Sequence, residues 1–268
     1  MSILHTIILA IVEGLTEFLP ISSTGHMALV SAFMGIEKSS FTTLFIENIQ
    51  FGTILSVLVL YWRKFFDFRK LQLYLKLIIA FIPAAIFGIL LKKHIDQLIG
   101  TPIFIACTMF FGGIILIFVD KWFKNPTIES EEKVSNKNAL FIGFFQVLAV
   151  VLPGISRSAA TIIGGMQQKL TRKAAAEFSF FLAVPTLAGA FAKSLWDAYK
   201  DTPEILTKHN ISILALGNVI GFLVAIVAIK GFIAFLTKNG FKFFGYYRII
   251  IGLIIIVTIL VRGNIFMF

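Results

Sequence analysis

Six stretches of this chain, at approximately 42–62, 71–91, 101–120, 173–196, 211–232 and 246–262, are predominantly apolar. Each is long enough to cross the hydrocarbon core of a bilayer as a helix of roughly 20 residues. With 58% apolar residues and only 14% charged, the chain has too little polar surface to face water. The fold class this predicts is an all-α polytopic membrane protein. The net charge of +10 does not point to nucleic acid, because the basic residues sit in short connections between the apolar runs, where membrane topology is encoded. The single cysteine, Cys107, lies within an apolar run and reads as a small packing residue. The N-terminus lacks a basic start and a small-residue cleavage site, so no removable signal peptide is expected.

Two further apolar segments, 1–34 and 138–166, are broken in the middle, one at Pro20 with "ISSTG" and the other at Pro153-Gly154 with "ISRS". A break of this kind ends one helix and caps the next, so both segments read as re-entrant helical hairpins. When Glu13 is aligned with Gln146, Pro20 falls on Pro153 at an offset of 133. The chain then divides into a first repeat, 1–124, made of hairpin 1–34 and three spans, and a second repeat, 138–268, made of hairpin 138–166 and three spans. The polar run "NPTIESEEKVSNKN" joins them, and its residues 125–137 read as a solvated cytoplasmic linker. An odd number of spans per repeat predicts an inverted-topology repeat. The connections 62–76, 121–137, 166–173 and 230–248 carry sixteen Lys and Arg residues, Arg248 among them, against seven on the opposite face. That asymmetry predicts a cytoplasmic first face, both termini outside and a first hairpin dipping in from outside. Trp62, Trp122 and Trp196 fall at span ends, as interfacial anchors do.

Arg157 belongs to no connection, and an arginine deep in a membrane protein needs an anionic partner or an interior role. Inverted hairpins would bring the helix starting after Ser22-Ser23-Thr24 and the one starting after Gly154-Ile155-Ser156 together near the midplane. Their free N–H groups favour an anion. The Arg157 fork and the hydroxyls of Ser22, Ser23, Thr24, Ser156, Ser158 and Thr161 make phosphate a better fit than a halide. Glu13 and Glu17, spaced i, i+4 on one face, would repel phosphate unless one acts as an acid or base, or a divalent cation bridges them to it. His26, one turn into the next helix, is a candidate general base or nucleophile, and Ser23 is the hydroxyl favoured beside it.

Each feature has a plainer reading beside the chemical one. The serines could only cap a helix, and Arg157 could be a structural ion pair. Glu47 and Gln50 could line the same cavity or lie at the interface. Gly112-Gly113, Gly164-Gly165 and Gly189 read as close helix approaches.

"EGLTEFLPISSTGHM" and "LPGISRSAATIIGG" together resemble the undecaprenyl-diphosphate phosphatases, the bacitracin-resistance proteins of bacteria. Glu13 and Glu17 match the family's acidic motif, and Ser22, Ser23, Thr24, Gly25 and His26 match its serine-rich loop. Its arginine motif is matched by Pro153, Gly154, Ser156, Arg157, Ser158 and Thr161, with Ala159 where glycine is expected in many relatives. "IENIQFGTILSV" and "AAAEFSFFLAVPTLAGA" carry the likeness through both halves. The resemblance implies a bacterial inner-membrane enzyme that removes the terminal phosphate of undecaprenyl diphosphate, recycling the lipid carrier of cell-wall synthesis and conferring bacitracin resistance. Glu17, Ser23, His26 and Arg157 would be catalytic. Ser22, Thr24, Gly154, Ser156, Ser158 and Thr161 would bind phosphate, and Glu13 with Glu17 would hold Mg2+ or Ca2+. The expected partners are the lipid diphosphate, surrounding lipids and a second copy in a homodimer, with no nucleic acid. The alternative is a polyprenyl-phosphate transporter or flippase, or a protein with both functions, since half-helices aimed at an anion also describe carriers.

Overall fold

The computed structural model describes residues 1–36, 39–67 and 71–262, so Lys38, Arg69 and Lys70, used above in reading topology, lie outside the described residues. The described elements are all helical. In chain order they are α1 (Ile3–Thr16), α2 (Ser23–Phe33), α3 (Ser40–Leu60), α4 (Trp62–Phe65), α5 (Leu71–Leu90), α6 (Lys92–Ile99), α7 (Pro102–Trp122), α8 (Asn136–Val151), α9 (Arg157–Gln167), α10 (Arg172–Asp201), α11 (Lys208–Asn239) and α12 (Lys242–Arg262). Six of these, α3, α5, α7, α10, α11 and α12, are long and apolar enough to cross a membrane, and they coincide with the six stretches read from the sequence. The short helices α1 and α2 pack on one another, as do α8 and α9. Large apolar side chains such as Leu71, Ile89, Val227 and Leu260 are more than two-thirds exposed on the outside of the bundle. The three tryptophans at the span ends, Trp62, Trp122 and Trp196, are also exposed.

Helices in lipid gain little from apolar burial against one another, so small residues that admit close backbone approach carry their association. α7 and α12 cross where Gly113 meets Gly245: a methyl group on Gly113 would lie 2.8 Å from the Gly245 carbonyl oxygen, and one on Gly245 would lie 2.7 Å from that of Gly113. Gly164 sits against Phe145 and Gly165 against Ala175, so these two glycines do serve close packing. Gly112 has a different use, because a methyl there would collide with the guanidinium of Arg248. Gly189 has only Phe81 at ordinary contact distance and marks no tight approach. The core beneath the two broken segments is aromatic, with Phe18 edge-on to Phe180 at 5.1 Å and both fully buried.

The linker is not simply solvated. Its backbone pairs with the segment between α9 and α10: Thr127 N and Ile128 N donate to Lys169 O, and Thr171 N donates to Ile128 O, each at 2.9 Å. Glu131 is 1% exposed and paired with Lys64, which also lies 3.7 Å from Glu177, while Lys76 Nζ donates to Glu132 O at 2.8 Å. The charge of Glu131 is matched by Lys64 of α4, and that pairing allows the carboxylate to be buried.

Candidate active site

Both chain breaks are built alike. α1 ends at Thr16 with Glu17 at its C-cap, and α2 restarts after Ser22. α8 ends at Val151, and α9 restarts after Ser156. Ser22 and Ser156 both adopt positive φ, 70° and 77°, a conformation that a residue with a side chain holds only when its surroundings impose it. Each hydroxyl accepts from the backbone N–H three residues on, Gly25 and Ala159, at 3.3 Å, so both serines cap the helix that follows. Gly154, with φ 95°, stands where an added methyl would run into Thr108 and the Ile105 carbonyl, so only glycine fits this turn.

The two helix starts converge on a cavity of about 170 Å³. Glu17, Ser22, Ser23, Thr24, Gly154, Ser156 and Arg157 line it, together with Gln50 from α3 and an apolar wall formed by Ile99, Ala149, Val150 and Leu187. Within it Ser23 Oγ donates to Glu17 Oε2 at 2.6 Å, and Arg157 Nη2 pairs with Glu17 Oε1 at 3.2 Å. Arg157 Nη1 donates to Ser179 O at 3.1 Å, whereas its buried Nε has no partner among the described residues. One carboxylate therefore engages a hydroxyl and a guanidinium at once, between two helix N-termini. Such a set is chemically able to supply a nucleophile, a base and anion stabilisers in one place.

Gln50 is held in this cavity by its neighbours along α3. Asn48 Nδ2 donates to Ser194 Oγ at 3.0 Å, Phe51 stacks on Phe191 at 4.3 Å, and Gly52 N donates to Asn218 Oδ1 at 2.5 Å. Of the two readings of Glu47 and Gln50, the cavity takes Gln50. Glu47 is exposed and accepts from Ser194 Oγ at 2.5 Å.

Four residues expected at the site stand outside the cavity lining. Ser158 donates to Leu19 O at 2.7 Å, tying the second turn to the first. Thr161 bonds Arg157 O at 2.9 Å and Ser179 Oγ at 2.6 Å, which braces the start of α9 against α10. His26 turns away from Ser23: its Nδ1 lies 2.8 Å from Ser22 O and its Nε2 lies 2.8 Å from the hydroxyl of Tyr247. A carbonyl can only accept, so Nδ1 carries the proton and Nε2 accepts from Tyr247. Glu13 is fully buried behind Glu17, and among the described residues no backbone or side-chain N–H reaches either of its oxygens.

Arg248, read from the sequence as one of the basic residues in a connection, is instead buried seven residues into α12 and fully inaccessible. Its Nε donates to Met109 O at 3.2 Å. Nη1 donates to Pro20 O at 3.3 Å and Ile155 O at 2.6 Å, and Nη2 to Thr108 O at 3.2 Å and Gly154 O at 2.9 Å. One guanidinium thus fastens both breaks to α7. No local signal in the sequence exposes this role, because every partner is a backbone carbonyl.

The family model of the bacitracin resistance protein BacA matches residues 6–254. This chain belongs to that family. Among its relatives, an undecaprenyl-diphosphatase of Flavobacterium johnsoniae is 54% identical over 96% of each chain. The namesake from Porphyromonas gingivalis is 49% identical over 97% of this chain and 98% of its own. Undecaprenyl-diphosphatase 1 of Clostridioides difficile is 43% identical over 96% of each. As a BacA protein with six membrane-length apolar helices, the chain is a multi-pass membrane protein.

Proposed function

We propose that this chain hydrolyses undecaprenyl diphosphate to undecaprenyl phosphate and orthophosphate, with Ser23 as nucleophile and Glu17 as its base. The names of its relatives support the reaction, and the 2.6 Å bond from Ser23 to Glu17, with Arg157 on the other carboxylate oxygen, carries the assignment of roles. The Ser23 oxygen attacks the terminal phosphorus as its proton passes to Glu17. The phosphoanhydride bond breaks and undecaprenyl phosphate departs. The departing phosphate takes the proton from Glu17, which then deprotonates a water that attacks the phosphoserine. The P–O bond to Ser23 breaks, Glu17 returns the proton to Ser23 Oγ, and orthophosphate is released. Arg157 and the N-termini of α2 and α9 stabilise charge on the non-bridging oxygens. As phosphate draws the guanidinium away, Glu17 is freed from its ion pair at the step in which it takes a proton.

Ser22, Thr24, Gly154 and Ser156 form the phosphate-facing lining, while Ser158 and Thr161 position Arg157 and the second turn. His26 acts as a positioning residue that locks the Ser22 carbonyl against Tyr247. Mg2+ fits the donor set better than Ca2+, because Mg2+ is held by one or two carboxylates plus substrate phosphate oxygens, whereas Ca2+ takes about six to eight oxygen ligands. Glu13, whose buried oxygens no N–H reaches among the described residues, and Glu17 would hold it. When bound, the ion neutralises charge on the diphosphate. Inner-membrane residence, termini on the outside and a cavity reached from the outer leaflet agree with the asymmetry of basic residues and with a carrier lipid recycled outside the cell.

The test is phosphate release from undecaprenyl diphosphate by the purified protein in detergent, with and without a divalent cation, beside Glu17→Ala. Release that depends on Glu17 is expected. Folded, lipid-binding protein that releases none would turn the assignment towards a carrier for polyprenyl phosphate.

A further inference from the structure

The strongest unassigned feature lies at the far end of α9. A cavity of about 490 Å³ opens between the end of α7, the start of the linker and the start of α10. Lys124, Arg172 and Lys173 line it, interleaved with Phe123, Met166 and Leu170, and among the described residues Asp120 is the one anion in the lining.

That anion is already satisfied. Asp120 Oδ1 accepts from Arg172 Nε at 2.7 Å, and Oδ2 accepts from the backbone N–H of Phe241 at 2.8 Å. Among the described residues Arg172 makes no other hydrogen bond, Lys124 makes no hydrogen bond or ion pair, and Lys173 makes no hydrogen bond but lies within electrostatic reach of Glu177 one turn along α10. Three cations thus converge on a pocket whose acidic group is matched by a side chain and a backbone donor. The surplus positive charge calls for an anion. The lining also says which kind: Phe123 is only partly buried beside the cations, and a free inorganic ion would gain nothing from that apolar surface. A molecule joining a phosphate to hydrocarbon would use both. The cavity lies just past Trp122, the exposed last residue of the spanning helix α7, a position that matches the level of lipid headgroups.

We propose that this pocket binds the phosphodiester headgroup of an anionic phospholipid. Basic pockets between spanning helices hold such headgroups by charge while the acyl chains stay in the bilayer. The pocket is also linked to catalysis by construction. Met166 lies in the last turn of α9, whose first residue is Arg157, about 14 Å away at the helical rise per residue. Leu170 is bridged to Ile128 of the linker. A lipid seated here holds together the linker, the start of α10 and the end of α9, and so stabilises the helix that presents Arg157.

The test uses the full chain in nanodiscs of phosphatidylcholine alone or of phosphatidylcholine with phosphatidylglycerol, comparing wild type with a Lys124→Gln, Lys173→Gln double variant. Arg172 is left intact because its ion pair with Asp120 belongs to the fold. Phosphatidylglycerol should raise the unfolding temperature of the wild type by on the order of 5 °C, as a ligand near saturation does for a protein of this size. The double variant should match the wild type in phosphatidylcholine and lose most of the increment. Equal increments in both proteins, or none in the wild type, would overturn the proposal. So would an equal increment from millimolar inorganic phosphate in neutral detergent, which would make the pocket a site for a free anion.

Discussion

Replacing Arg248 with lysine keeps the charge and most of the volume but removes the fork. The guanidinium presents five N–H donors, and in this fold five carbonyls, from Pro20, Thr108, Met109, Gly154 and Ile155, receive them. An ammonium has three, so at least two of the five bonds are lost even if the lysine amine sits at the centre of the ring of acceptors. Thr108 and Met109, inside α7, keep their helical N–H partners, so the cost is that of the charge-assisted bonds themselves, about 1.5–3 kcal/mol each and about 3–6 kcal/mol for two. That is a large fraction of the roughly 5–15 kcal/mol by which folded chains are stable. The unfolding temperature in detergent should fall by on the order of 10 °C. Turnover should fall further than stability at assay temperature explains, because Pro20, Gly154 and Ile155 belong to the two breaks that aim Ser23 and Arg157. An Arg248→Lys variant unfolding within about 2 °C of wild type, with unchanged turnover, would refute the reasoning.

Gln50 offers its amide to the cavity from α3, so Gln50→Ala should raise KM for the lipid diphosphate about tenfold for one lost hydrogen bond to a charged group. Gln50→Glu should be worse than alanine, since it adds a negative charge facing the diphosphate; steady-state kinetics with an unchanged unfolding temperature would check both. For Glu131, burial alone would push the carboxyl pKa up, but the hydrogen bond and ion pair from Lys64 more than offset it and hold the carboxyl below the usual glutamate value. A depressed value means that this stabilisation is complete above the ordinary glutamate range and fades as pH falls through and below it. The stability gap between wild type and Glu131→Gln should therefore be full at neutral pH and shrink below about pH 4, read from unfolding temperatures across pH.

The spans were legible because hydrocarbon thickness fixes the length of an apolar run, and nothing in tertiary packing overrides that requirement. The breaks were legible for a similarly local reason: proline with a following serine has few uses other than ending one helix and capping the next. Ser22, Ser23 and Ser156 stand where that rule puts them. Arg248 was not legible. It follows Lys238 and Lys242 in sequence, and a basic residue beside a basic connection looks like a topology signal. Only the fold shows that the helix begins six residues earlier and carries this side chain inward. The surroundings of His26 were not legible either: a residue three positions after Ser23 shares its helix face on average, whereas the ring is held by the Ser22 carbonyl and by Tyr247 on the distant α12. The linker misled through composition, because the cations that neutralise Glu131 lie far away in sequence.

The most direct measurement is the initial rate of phosphate release from undecaprenyl diphosphate by Ser23→Ala, at saturating lipid, in protein whose unfolding temperature matches wild type. If Ser23 is the nucleophile, the rate should fall by about a thousandfold or more while the lipid still binds. A Ser23→Ala protein that turns over near the wild-type rate would contradict the Ser23–Glu17 assignment and leave the attack to another group.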